Sequence, residues 1–160
     1  MHDALLNFCK WLENTSWALA IGRSLWAYPV VQLIHFSGLS LWVGTIAVVD
    51  LRFLGLAARR QPAGQFAQQF VGWTWSGLGI AFLGGALLFS ASASAFFRNP
   101  AFRIKLVLIL AGVFYHLMVQ RNAGKWGESP AIPTVAKLGS FLELALWIGV
   151  ITAAVEIPNH

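Results

Sequence analysis

The stretch PVVQLIHFSGLSLWVGTIAVV, Pro29 to Val49, decides the fold. It contains no Asp, Glu, Lys or Arg, and Asp50 and Arg52 close it. A helix rises ~1.5 Å per residue, so this stretch reaches across the ~30 Å hydrocarbon core of a bilayer. Three further windows have the same character: 71–92, 102–120 (closed by Arg121) and 136–157 (closed by Pro158). A spanning barrel would show short alternating segments instead of unbroken apolar runs. The expectation is an all-α integral membrane protein. Its four transmembrane helices form an antiparallel bundle with both termini on one side, and the lipid bilayer is its first partner.

Composition agrees. Of 160 residues, 58% are hydrophobic and 11% charged, and the mean hydropathy is +0.66. A typical soluble domain is about 25% charged. A chain this apolar cannot cover its own surface, which argues against a soluble enzyme and against disorder. The formal net charge is +5. The basic residues flank apolar runs, a placement that suits phosphate head groups at a membrane surface, and no nucleic acid is expected. Cys9 is the only cysteine, so no disulfide within the chain and no Cys-based metal cluster can form.

The boundaries carry matching signals. Trp17, Trp26 and Tyr28 precede the first span, Trp73 and Trp75 open the second, and Trp126 follows the third, as expected of interfacial aromatics. Asn99-Pro100 reads as a cap and first-turn proline for the third helix. Leu5, Phe8, Cys9 and Leu12 recur at helical spacing, so residues 3–13 read as an amphipathic helix lying in the interface. Thr15-Ser16 would cap a short second helix. The chain thus divides into an interfacial segment, 1–23, and a transmembrane domain, 24–160. The 53–70 loop is expected to be partly amphipathic and to form a surface helix, and 121–135, with Gly124, Gly127, Pro130 and Pro133, a plain connector. Six basic residues fall on the loop side (Arg52, Arg59, Arg60, Arg121, Lys125, Lys137) and five on the terminal side. That bias does not fix orientation. The termini are placed outside.

Gly77, Ala81 and Gly85 share one face of the second span, with Gly84 beside them. Such a stripe lets two helix backbones approach closely; a cofactor lying against the glycines is the sharper alternative. Ionisable groups in hydrocarbon are costly and usually turn inward with a partner. Gln32, His35, His116 and Glu143 are therefore the candidate cofactor-binding residues, with Asp50, Arg52 and Glu156 at span ends. Counting from the helix ends puts His35 ~9 Å from the terminal side and His116 ~7.5 Å from the opposite one. Two polar layers are expected: His35 with Gln32, and His116 with Glu143. That offset argues against one haem shared by both histidines. It leaves a haem b held by one of them alone, or a metal on His35.

The run Ser24-Leu25-Trp26-Ala27-Tyr28-Pro29, then His35 and Gly38, then Asp50-Leu51-Arg52-Phe53-Leu54-Gly55, resembles a bacterial family of four-span membrane proteins, domain of unknown function 6644. Trp73-Thr74-Trp75 and Asn99-Pro100-Ala101-Phe102-Arg103-Ile104-Lys105 fit the same pattern. A more distant likeness is to copper-resistance membrane domains of the copper-D type. The resemblance implies a small helical bundle in the inner membrane of a bacterium. It also gives weight to His35 and to Asp50, Arg52 and Lys105 as charged anchors. It brings no activity. The chain departs from the pattern at Gln32, where an acid is expected, and at Gln120, where a histidine is.

Three functions follow as expectations. The first is a cofactor-associated or electron-transfer-linked subunit, using His35 (tuned by Gln32) or His116 with Glu143 as ligand for haem b or copper. The second is a non-catalytic accessory subunit that packs against other membrane subunits or itself, in a redox or pigment-binding complex. The third is a transporter of copper or another ion. No catalytic residues are expected.

Overall fold

Each apolar window folds as one long helix. The computed structural model describes residues 2–58, 60–127 and 132–155; Arg59, Pro130, Glu156, Ile157 and Pro158, named above, lie outside them. The four spanning helices are α3 (Ala27–Phe53), α4 (Ala63–Ala91), α6 (Pro100–Gly127) and α7 (Thr134–Val155). Each is long and apolar enough to cross a bilayer. Two short helices, α1 (His2–Glu13) and α2 (Ser16–Arg23), precede them, and α5 (Ala93–Arg98) joins α4 to α6.

The bundle closes as a ring in the order α3, α4, α6, α7, with neighbours antiparallel. The contacts show the directions. His35 meets Gly84 and Gly85, Gly38 meets Ala81 and Gly77, and Thr45 meets Thr74, so α3 rises as α4 falls. Gly112 meets Trp147 while His116 meets Glu143, so α6 and α7 also oppose each other.

The glycine stripe is where α3 and α4 come closest. A Cβ on Gly77 would lie 2.6 Å from the Trp42 backbone nitrogen, and one on Gly38 would strike the Ala81 backbone. The missing side chains are what allow this approach. The face that could have cushioned a cofactor is filled by the backbone of α3.

Three expectations about boundaries change. Residues 63–70 are not a separate surface helix but the first turns of α4, continuous with the span. Trp73 and Trp75 are therefore well inside the helix: Trp73 points to lipid, and Trp75 turns into the bundle. On the far side, helix α6 runs to Gly127 through what reads as a connector. The six-residue helix α5 has no signal in the apolar pattern.

Two caps behave differently. Asn99 Oδ1 accepts the Ala101 N–H at 2.8 Å, as its sequence suggests. Thr15 stands at the N-cap of α2, yet its hydroxyl donates back to Leu12 O at 2.7 Å. At the other end of α3, Gly55 adopts φ +77 and ends the helix in the left-handed conformation that glycine takes without penalty.

Helices α1, α2 and α5 form a collar on the terminal side. Leu5, Phe8 and Trp11 of α1 are exposed, as suits a helix half sunk in the interface, while Cys9 is buried against the protein. Glu13 ties the collar together: its carboxylate accepts the backbone N–H of Ser94 at 2.7 Å and the Ser94 hydroxyl at 2.8 Å. An anion at the first turn of α5 satisfies donors that the helix leaves open.

Candidate functional site

Two apolar clusters divide the bundle interior. On the loop side, Phe53, Ala63, Ala67, Ala123 and Ala136 pack together. Further in lie Trp42, Ile46, Trp147 and Val150, with Trp75, Leu108 and Ile109 against them. Between these clusters is a layer of buried polar side chains.

His116 and Glu143 are its centre. The Nδ1–H of His116 meets Glu143 Oε1 at 2.6 Å, and Glu143 has no exposed surface. Both residues lie within ~5 Å of the midpoints of their helices. Trp42 stands edge-on to the His116 ring at 5.2 Å between centroids, Trp75 lies at 6.1 Å, and Trp147 packs on Trp42 at 5.6 Å. The Trp75 indole N–H donates to Gln120 Oε1 at 3.2 Å.

Asp50 enters the same layer from α3. It is 1% exposed and faces Ser140 of α7, and its carboxyl is close enough to that of Glu143 for their charges to repel. Asp50 and Arg52 are two residues apart and so point to different sides of the helix. Arg52 turns to the loop instead, where its guanidinium Nε and Nη2 both donate to Gln61 O. The two do not form the paired surface anchor that their place at a span end suggests. Among the described residues the only ion pair that either carboxylate of the layer makes is His116–Glu143.

A cavity of about 30 Å³ adjoins the layer, lined by Asp50, His116, Glu143, Gln68, Thr74 and Gln120 among others. It admits about two water-sized molecules. Buried atoms of its lining meet no hydrogen-bond partner: Asp50 Oδ2, His116 Nε2 and Glu143 Oε2.

His35 occupies a separate level. Its Nδ1–H donates to Ala81 O at 2.7 Å, and its ring packs on Gly85. A carbonyl only accepts, so Nδ1 carries the proton and the neutral ring keeps its lone pair on Nε2. Lys105 of α6, half-buried, is near enough for its charge to act on this ring. Gln32 is half-buried one turn before His35, and no hydrogen bond joins the two among the described residues. His116 touches Trp42, which is two helical turns beyond His35 on α3. A single haem bridging both histidines does not fit that offset. No three His, Cys, Asp or Glu side chains among the described residues converge as ligands of one metal ion. His35 and His116 each keep their Nε2 for at most one ligand bond.

Sequence reasoning missed Ser140, Trp42, Trp147 and Tyr115, whose hydroxyl donates to Gly139 O at 3.1 Å. The signal was present for most of them. Ser140, Glu143, Trp147 and Val150 follow the spacing of one helical face, as do Gly38, Trp42, Ile46 and Asp50.

The chain matches no curated protein and no solved structure. Residues 8–158 match a family model described as a family of unknown function, DUF6644. That match covers nearly all the collar and bundle described above, and the chain belongs to this family.

Proposed function

We propose that the protein is a membrane subunit that takes a small cation, in the first instance a proton, into the layer of Asp50, His116 and Glu143. One observation carries the reading: a fully buried Glu143 inside the helix bundle, hydrogen-bonded to an imidazole, with a second buried carboxyl and a water-sized cavity beside it. Charge at that depth is expensive and persists only with a counter-charge. No Lys or Arg among the described residues supplies one. A cation entering through the cavity does.

Access follows from the lining. The cavity runs about two helical turns, from Thr74 and His116 to Phe53, Ala67 and Ala123 near the loop end. On the other side Trp42, Trp147, Leu108 and Ile109 fill the bundle. The cavity thus points to the loop side, where the buried cluster of Phe53, Ala67 and Ala123 closes it. Of the groups that face it, α3 contributes Asp50, α6 His116 and α7 Glu143, while α4 contributes only the uncharged Gln68 and Thr74. The resemblance supports a bacterial cytoplasmic membrane, and we place the loop side inward and the termini outside.

Infrared difference spectroscopy between acid and alkaline buffer tests the reading. The expected result is a carboxylic-acid carbonyl band that disappears in Glu143→Gln or Asp50→Asn. A spectrum identical in wild type and both variants rejects it.

A second reading, an electron-transfer subunit with a cofactor on His35, is favoured by the tautomer of that ring. A haem b or copper ion held there would supply one-electron chemistry, and Ala81 O would orient the ligand. An absorption spectrum with metal analysis decides: a Soret band or bound copper lost in His35→Ala supports it, and a colourless, metal-free wild-type protein rejects it.

A further inference from the structure

Among the described residues that line the cavity beside the polar layer, Gln68 alone is exposed. Val49, Val71 and Gln120 are half-buried, and the rest are buried. The two valines offer water no hydrogen bond. The polar route outward therefore passes Gln120 of α6 and Gln68 of α4, beside the buried Phe53, Ala67 and Ala123 that close the loop end.

Both glutamines lie where α4 meets α6. Gln68 and Trp75 are seven residues apart, two turns along one side of α4. The Trp75 indole N–H crosses to α6 and donates to Gln120 Oε1 at 3.2 Å. Gln120 is one turn beyond His116 on α6. Gln68 is five residues into α4, ~7.5 Å from its loop-side start. From the surface inward the order is Gln68, Gln120, then His116 with Glu143. An amide donates and accepts hydrogen bonds without bringing a charge of its own into the bilayer.

We infer that Gln68 and Gln120 form the entrance through which water and protons reach the layer, and that the Trp75–Gln120 hydrogen bond gates it. The inference rests on the cation-binding reading above and adds the regulation of its exchange. While the bond holds, Gln120 is pinned to the wall of α4 and cannot turn to pass a water. When it opens, a proton moves in along hydrogen-bonded waters and another leaves by the same route. The amides keep their own protons throughout.

The test follows deuterium exchange at the buried carboxyls of the whole chain in phosphatidylcholine vesicles. Rapid mixing into D2O shifts the carboxylic-acid carbonyl band of the layer to lower frequency, and the rate of that shift measures access. Trp75→Phe keeps a ring and removes the donor. It should exchange about fivefold faster, the factor that opening one ordinary hydrogen bond costs. Gln120→Leu and Gln68→Leu keep the bulk and remove the amide. Each should exchange about tenfold slower or more, because a moving charge loses a hydrogen-bond partner. Simple loosening of the bundle would quicken all three variants, and that result overturns the gate. An unchanged or slower rate in Trp75→Phe, or an unchanged or faster one in either glutamine variant, overturns it too. So does wild-type exchange that is complete within the mixing time. Gln68 is exposed, so its variant decides even where Gln120→Leu fails to fold. These outcomes leave the cation layer standing. Absence of the carbonyl band from the wild type at every pH sinks the underlying reading and the gate with it.

Discussion

The Nδ1–H of His116 meets one carboxylate oxygen of Glu143 at 2.6 Å, while the other oxygen of that carboxylate, like Nε2 of the imidazole, meets nothing. Half of each group fixes the geometry, and the other half is left to act. A buried polar atom without a partner costs ~1–3 kcal/mol, so these atoms call for water or a cation in the adjoining cavity.

Stability separates the two halves. Glu143→Gln keeps an acceptor for the imidazole and should cost about 1 kcal/mol, in the range of interhelical hydrogen bonds in membranes. Glu143→Leu leaves the His116 N–H unpaired and should cost about 2–3 kcal/mol. Unfolding in mixed micelles measures both. Equal losses would mean that the hydrogen bond contributes nothing.

The contact of α3 with α4 gives a second expectation. At Gly38 a Cβ meets the backbone of Ala81 and of Gly77, so Gly38→Ala should destabilise by about 1–3 kcal/mol or more. Gly44 has nothing within 4 Å of such a Cβ. Gly44→Ala should therefore be neutral or stabilising by up to ~1 kcal/mol, through helix propensity. The same micelle assay reads both, and a reversed order would contradict the packing.

The long apolar runs made the four spans legible, because nothing else in a short chain can satisfy so much apolar surface. Their ends were less so. Gln65, Gln68 and Gln69 look like loop residues, yet they extend α4, since a helix leaving the bilayer can continue through polar residues in water. The partnership of His116 with Glu143 could be read from matching depth. The inward turn of Asp50 could not, because its place beside Arg52 suggests an interface anchor. Which of two neighbouring charges faces the interior depends on helix rotation, and rotation is set by the contact at Gly38. The tie from Glu13 to Ser94 spans most of the chain between α1 and α5 and leaves no local pattern.

That tie predicts the behaviour of Cys9. Burial raises the thiol pKa above its ordinary value, and the charge of Glu13 adds to the rise. Maleimide alkylation should therefore be slow at neutral pH and should rise only at a pH above that of a free thiol. Glu13→Gln removes one cause of the shift and loosens the collar, so its reaction should be faster at neutral pH. Because the unfolded thiol ionises first, the raised value weakens the fold only at alkaline pH. Unchanged alkylation in Glu13→Gln would contradict the tie.

Arg52 should act on the turn after α3. Among the described residues its Nε and Nη2 both donate to Gln61 O, and these bonds are charge-assisted. Arg52→Ala should release about 2 kcal/mol of loop order, and Arg52→Lys somewhat less. Limited proteolysis between Leu54 and Pro62 should quicken about tenfold or more in Arg52→Ala. A cleavage rate equal to wild type would show that the bonds do not hold the turn.

Proton uptake bears most directly on the polar layer. A small downward pH step applied to the detergent-solubilised protein, followed with a pH dye, counts protons taken up per chain. The Asp50→Asn/Glu143→Gln double variant, checked for an unchanged helical spectrum, should take up about one proton fewer than wild type over the range in which the layer titrates. Equal uptake across the whole accessible range, with both proteins folded, would contradict a layer that takes in a cation.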